Sequence, residues 1–538
     1  MRDKANGDTE EKTMTVLEAT KSKNSLGVTR SGRLFVLELS GDRSGPGGIE
    51  HFVQQFTGPM TAWWETLGAH PWSHWDPFRL SSTRCSLFMG VFVTVLLVMR
   101  PVMAGENLES RFVKWREDST LISGSAARAL IQRQFIAFDP SYLEQRKLFA
   151  PKITAAAEKI RESEEAGRPL PCSTQIYLEA KWLFNYTANF EELEGMLESF
   201  ADSLKTKDQS FANLQSAADG GWGPCYRRKF NRLDATVSGL EELQARKEGP
   251  QYAIRLYPEI TSIEDFGRAM ESLIVSDIPA TGENRRSALN SVITSLGRTS
   301  LKRYWRPYIA TSVRADIYKS IPGGSATVEE QVRRFMDDWQ DPETGFWGAW
   351  YRDGEKNFRT SDLSITFHVV SYRKGKVDHK VEIGEHLLAS KNEEYPYGWF
   401  KDGKMCNHNN YDVVKILRLI WKDLPAALQD KFRVEIRKMT IWALRSSLRR
   451  DGSVEFYPAM FESVSAEYYY LISFLEQIGY WKADQRFWIG GDVTEVPYAD
   501  DALSICSLIK RRFDSRRFQD GPSLATRQML ERACPDKL

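Results

Sequence analysis

Trp339-Gln340-Asp341-Pro342-Glu343-Thr344-Gly345-Phe346-Trp347 is the stretch on which the reading of this chain turns. A segment with helical spacing, Val328 to Trp339, runs into it, and Pro, Gly and two aromatics then break the period. The Gly-aromatic pair returns as Gly398-Trp399-Phe400 and again around Asp451-Gly452 with Phe456, at steps of 53 and 54 residues. Each occurrence lies between two helix-like segments. A unit of this size cannot bury its apolar face alone, so repeated units stack or close into a circle.

Three units align by eye. RRFMDDW, the turn QDPETGFWGAWYRDGEKNFRTS and DLSITFHVVSY form the first. GEHLLAS, KNEEYPYGWFKDGKMCNHNNY and DVVKILRLIW form the second. TIWALRSSL, RRDGSVEFYPAMFESVS and AEYYYLISFLEQIGYW form the third. A weaker unit precedes them, in which FADSL leads to DGGWGPCYRRKFNRL and DATVSGLEEL. An acidic residue opens the helix after each turn: Asp234, Asp362, Asp412 and, one residue in, Glu467. A carboxylate there caps orphaned N–H groups and complements the helix dipole. In a circular array the same residues would also line one mouth.

The other long segments read as helix: Ile153 to Glu165, Ser173 to Leu204, Ile263 to Val275 and Ala288 to Leu301. Strand signals are sparse, with some alternation at Val377 to Ile383. The expected fold class is all-α, with an N-terminal helical cap over residues 105–172 and the repeats over 173–538.

Helical hairpins joined by Gly-aromatic turns resemble the α/α toroid of terpenoid cyclases and protein prenyltransferases. The Gln340–Trp347 turn resembles the Q-x-x-x-G-x-W repeat of squalene cyclases with one residue added, and the later units lose the Gln. The resemblance covers Val328 to Trp481 well and Ser173 to Leu240 loosely. It implies a barrel of helical hairpins with buried turn tryptophans. The acid motif D-x-D-D of those cyclases is absent, and the prenyltransferase zinc pattern is approached only by Cys406-Asn407-His408.

Length and composition permit a large core: 538 residues, 42% hydrophobic and 27% charged. A formal net charge of +1 gives no basis for a nucleic-acid partner. Leu87 to Met99 is thirteen apolar residues, short for a span and suited to a signal-peptide core or an anchor. Val102 and Ala104 suit cleavage, and Arg100 suits retention. The chain is therefore expected to be exported, with 87–104 as signal peptide or anchor, its only membrane element. Residues 1–86 read as a poorly structured extension or a start assigned too far upstream. Six cysteines without a C-x-x-C allow one or two bridges and a free thiol. Asn185-Tyr186-Thr187 matches a glycosylation sequon but sits in an apolar helical stretch, which argues for coincidence.

Candidate chemistry concentrates in Cys406-Asn407-His408-Asn409-Asn410-Tyr411-Asp412. Polysaccharide lyases of toroidal fold use an Asn to neutralise a uronate, and a His or Tyr to remove the C5 proton. His408, Asn409, Asn410 and Tyr411 could fill such roles, with His368 as second base. Arg352, Arg359 or Arg373 could pair the uronate. The bland alternative is a helix cap with His408 exposed. Two further readings are metallic: zinc on Cys406, His408 and Cys225, and magnesium on the D-D-x-x-D of Asp337 to Asp341, which the aligned units LLASKNEE and LRSSLRRDG do not repeat. Three functions follow: a carbohydrate-active lyase or hydrolase, a binding or structural toroid, and a cyclase-like protein lacking its acid. The expected occupant of the cavity is a polysaccharide or an apolar ligand, and the sequence leaves the cofactor open.

Overall fold

The computed structural model describes residues 114–166, 168, 170–205, 215–223, 225–246, 249–252, 263–301, 328–455, 464–516 and 521–534. These belong to one unit, Arg100–Leu538. The extension 1–86 and the apolar segment 87–104 lie outside the described residues. Among the described residues no helix is long and apolar enough to cross a membrane.

The molecule is predominantly helical. β1 (Ser119–Ile122) leads to α1 (Gly124–Phe138), α2 (Tyr142–Glu165), α3 (Pro171–Tyr186), α4 (Phe190–Ser203) and α5 (Lys229–Arg246). Next come α6 (Ile263–Ile274), β2 (Val275–Ser276), α7 (Ile278–Thr281), α8 (Arg286–Leu301) and α9 (Val328–Trp339). The hairpin β3 (Trp350–Asp353) and β4 (Lys356–Thr360) precedes α10 (Leu363–Tyr372) and α11 (Lys380–Ala389). The chain ends with α12 (Asn407–Ile420), α13 (Ala426–Trp442), α14 (Val464–Gln477), α15 (Ala502–Ser515) and α16 (Gly521–Ala533).

Burial separates two kinds of helix. In α10 Leu363, Ile365, Phe367, Val369 and Val370 are buried together with Ser364 and Thr366, so the helix is enclosed on nearly every side. In α9 Phe335, Met336 and Trp339 are buried while Arg333 and Arg334 are exposed, the pattern of an outer helix. The enclosed helices α8, α10, α12 and α14 pack each against the next in chain order, with α5 beside α8 and α16 beside α14. α3 touches α8, and α2 touches both α3 and α14. These contacts make a closed circuit through α2, α3, α8, α10, α12 and α14.

The turn glycines explain the echo. Gly345 and Gly452 have φ of 69° and 81°, in the left-handed region. A Cβ on Gly345 would lie 2.6 Å from the His379 carbonyl oxygen, and one on Gly398 2.3 Å from that of Ser390. Each turn therefore presses backbone to backbone against a neighbouring segment. Trp347 and Trp399 are 0% and 2% exposed. Trp347 Nε1 donates to the Met336 carbonyl at 2.7 Å. Gln340 Nε2 donates to the carbonyls of Gly345 at 2.8 Å and Asp378 at 2.9 Å, fastening its own turn to the chain before α11. The Trp347 N–H donates to Thr366 Oγ1 at 3.1 Å, and the Trp222 N–H to Thr236 Oγ1 at 2.9 Å. The weak early unit thus makes the same join between turn and following helix.

Several expectations need correction. Ser173 to Leu204 is two helices, broken at Thr187, with Asn189 capping α4 through a bond from the Glu192 N–H at 3.1 Å. The 172/173 boundary falls inside α3. Val377 to Ile383 runs into α11 and is not a strand. Strand is sparse, as expected, and what there is forms one four-stranded sheet, order β1-β4-β3-β2. β3 and β4 are antiparallel, β1 lies parallel to β4, and β2 parallel to β3. Strands of two to five residues are too short for alternation to show. Cys172 is bonded to Cys225 and Cys506 to Cys534, and Cys406 is a buried free thiol.

Candidate functional site

Of the four acidic residues read as helix openers, only Asp362 is a cap: its carboxylate accepts the Ile365 N–H at 2.9 Å. Asp234, Asp412 and Glu467 lie inside α5, α12 and α14. The start of α12 is fixed by Cys406, whose Sγ accepts the Asn409 N–H at 3.5 Å. The cluster 407–412 is therefore the first turn and a half of a helix, not a turn before one. Helical spacing places His408, Tyr411 and Asp412 on one side, and Asn407 and Asn410 round the other. Asn407 Nδ2 donates to Ser447 Oγ at 2.7 Å. Asn410 is 1% exposed, and neither of its amide atoms has a hydrogen-bond partner among the described residues.

Asn409 decides the state of His408. Its Nδ2 donates to the Trp399 carbonyl at 2.8 Å, the backbone of the repeat turn. That bond turns Asn409 Oδ1 toward His408 Nδ1, 3.1 Å away. An amide oxygen only accepts, so Nδ1 carries the hydrogen and Nε2 keeps the lone pair. Burial depresses the His408 pKa from 6.5 to about 4, so the ring is neutral at neutral pH. Asp412 Oδ2 lies 3.9 Å from Nδ1.

Aromatic rings enclose this imidazole. Tyr470 meets it edge-on at 4.5 Å between centroids and Tyr395 at 5.2 Å. Tyr411 lies 6.1 Å from Tyr470, 6.3 Å from Tyr469 and 5.3 Å from Phe367. His368 is stacked on Tyr372, with Nδ1 3.1 Å from its hydroxyl. It joins the His408 cluster through Phe367, 4.9 Å away, and Tyr411. Of the three successive tyrosines of α14, Tyr468 points elsewhere, donating to the Gly452 carbonyl at 3.2 Å. Burial raises the Tyr411 hydroxyl well above its usual range, so it is protonated and can donate.

Behind the rings lies a buried polar layer that pattern reading missed. Arg286, at the start of α8, grips Asp362 with Nε–Oδ2 at 2.6 Å and Nη2–Oδ1 at 2.9 Å. The two residues are 6% and 0% exposed, so the charges must remain paired. Tyr351 OH lies 3.4 Å from both Asn284 Oδ1 and Tyr397 OH. Tyr395 donates to Asp412 Oδ2 at 3.2 Å. Burial pushes the Asp412 carboxyl well above the usual carboxylate range, opposed by the Tyr395 bond and by Arg286 and reinforced by Asp362. The usable signal was Tyr395-Pro396-Tyr397 directly before Gly398: two aromatics in the very turn whose position the repeat sets.

Other candidates are accounted for. Cys225 is spent in its disulfide, so the zinc set of Cys406, His408 and Cys225 does not assemble. Burial also raises the Cys406 thiol, keeping it protonated. Among the described residues no group of three His, Cys, Asp or Glu side chains could hold a metal ion. The D-D-x-x-D carboxylates are held by arginines: Asp337 by Arg333 and Arg373, Asp341 by Arg359. Arg359 and Arg373 are thereby occupied, and Arg352 is exposed on the β3–β4 hairpin. A surface hollow lined by Gly479, Trp481, Lys482 and Gln485 lies past the C-terminal end of α14 and includes none of the cluster. In comparisons with family models, with curated proteins and with solved structures, nothing matches this chain.

Proposed function

We propose that the chain is an exported α/α toroid that acts on a carbohydrate chain by proton abstraction, in the manner of a polysaccharide lyase. The toroid reading rests on the contact circuit from α2 through α8, α10, α12 and α14 back to α2. The two disulfides accord with an oxidising compartment. The observation that carries the activity is the neutral His408 ring, its tautomer set by Asn409, flanked by Tyr395 and Tyr470, with Tyr411 against Tyr470. A neutral imidazole accepts a proton from a sugar carbon acid, and a protonated tyrosine such as Tyr411 can return one to the leaving oxygen. Tyrosine faces and hydroxyls suit sugar rings. With Arg359 and Arg373 occupied and Arg352 on the exposed hairpin, a uronate carboxylate at the cluster would be met by neutral donors, of which the Tyr411 hydroxyl is one.

A second reading, a binding toroid without chemistry, is favoured by one observation: Tyr395 spends its hydroxyl on Asp412 Oδ2 and its ring on the edge-on contact with His408. The cyclase-like reading loses its magnesium candidate to the arginines on Asp337 and Asp341.

A turnover and binding screen over acidic and neutral polysaccharides separates the readings. A proton-abstracting enzyme loses turnover on His408→Ala by about 100-fold or more and on Tyr411→Phe by a smaller factor, with binding retained. Asn409→Leu should shift the His408 tautomer ratio, read by 15N NMR, together with rate. Binding without turnover favours the second reading. Turnover indifferent to both His408 and Tyr411 removes the cluster from function.

A further inference from the structure

The chain contains one Asn-X-Ser/Thr sequon, Asn185-Tyr186-Thr187. In the fold it lies at the C-terminal end of a helix, with its first residue turned outward. Asn185 stands in the last turn of α3, and its side chain is exposed while Phe184 and Thr187 beside it are buried. Its predecessors one and two turns back on the same face, Lys181 and Leu178, are partly exposed, so this is the outward side of α3. Beyond Asn185 the helix stops. Thr187 is extended, and its Oγ1 donates to the Leu183 carbonyl at 2.9 Å. The segment then runs beside 282–284: Ala188 N–H donates to the Gly282 carbonyl at 2.9 Å and Asn284 N–H to the Tyr186 carbonyl at 2.8 Å. The inward-facing residues of the sequon carry the packing, and the outward-facing one carries none of the hydrogen bonds described.

We infer that Asn185 is an N-linked glycosylation site. The inference rests on the exported reading and adds the modified atom. A glycosyltransferase acting on the unfolded, emerging chain meets the sequon before α3 forms, so helical conformation is no bar. What the folded state must provide is an Asn185 open to solvent, and the residue is exposed. The donor is an oligosaccharide linked to a polyprenyl diphosphate. The bond formed joins sugar C1 to Asn185 Nδ2. The bond broken is from C1 to the diphosphate oxygen, polyprenyl diphosphate leaves, and one amide proton is lost. A bulky hydrophilic group here also covers the turn between α3 and α4 without touching the His408 cluster's hydrogen bonds.

The test is expression of the full chain in eukaryotic cells, with treatment by an enzyme that removes N-glycans and peptide mass mapping. The wild type should recover from the medium, drop in apparent mass on treatment, and yield Asp at position 185. Asn185→Gln should run at the treated position from the outset, and Thr187→Ser should keep the glycan at reduced occupancy. A wild-type chain that reaches the medium with an unmodified Asn185 overturns the inference and leaves export standing. A wild-type chain retained unmodified in the cytosol overturns both.

Discussion

The turns at Trp347 and Trp399 hold the same place in successive units, yet each is joined to its following helix by different chemistry. At Trp347 the join is a hydroxyl: Thr366 accepts the tryptophan N–H, and Gln340 and the Trp347 indole add three more bonds. At Trp399 the join is an amide, Asn409 donating to the carbonyl, and the indole Nε1 has no hydrogen-bond partner among the described residues. A threonine that accepts the turn's N–H can at most return its proton to the turn's carbonyl. An asparagine that uses its nitrogen still has an oxygen to offer, and His408 takes it. The first turn is spent on fastening. The second leaves an amide oxygen over, and that oxygen holds the tautomer of a half-buried base. The unit that departs further from the repeat pattern is thus the one that carries the candidate chemistry.

The comparison is hardest to break at the rings themselves. Trp347→Ala and Trp399→Ala should each cost about 3–5 kcal/mol in denaturant unfolding, because both indoles are fully buried. A loss under about 1 kcal/mol at either would remove that turn from the framework.

Titration gives the next effect. Burial lowers both His408, beside the second turn, and His386, against Phe346 of the first, from 6.5 to about 4. The unfolded chain therefore binds more protons across that window. Stability is full above pH 6.5 and falls as pH drops toward 4, by up to about 3 kcal/mol per histidine. His386→Gln and His408→Gln should each flatten the curve. Asp412 works in the opposite sense: its raised pKa favours the fold at low pH and disfavours it as pH rises. Asp412→Asn should make the rise in stability with pH steeper. A curve that Asp412→Asn and both glutamine variants leave unchanged would mean that these groups titrate in the fold as they do in the free chain.

The smallest effect is the sharpest discriminator between the turns. Trp347→Phe loses the bond to Met336, worth about 0.5–1.5 kcal/mol beyond the change in ring size, and Trp399→Phe loses none. Equal costs for the two would erase this difference between the turns.

The period of the fold was legible because Gly345, Gly398 and Gly452 each answer a backbone constraint that no other residue meets. Their spacing follows from architecture and survives the loss of Gln340 in later units. Helix ends were less legible. Asp412 looked like a cap since acidic residues favour that place, but Cys406 Sγ took it, and the frame of the whole cluster shifted by more than a helix turn. His408 and Tyr411 were visible as unusual residues. Their partners Tyr395, Tyr470 and Arg286 come from other segments, and no local pattern announces a contact made across the circuit. The sheet escaped for the same reason, its strands being short and supplied by distant parts of the chain.

That sheet has a consequence in time. β1 pairs in parallel with β4, Ser119 opposite Asn357 through Ile122 opposite Thr360. During synthesis at about 5–20 residues per second, β1 leaves the ribosome about ten to fifty seconds before its partner exists. For that interval a strand with bare N–H and C=O groups waits on the nascent chain, open to any other edge it meets. Pairs such as α3 with α4 can form in the meantime, since both members are already made, whereas α8 and α2 still wait for α10 and α14. The closing of β1 onto β4 therefore marks the moment at which the early half of the chain commits to the late half, and slowed translation before residue 357 should lengthen the protein's stay with chaperones.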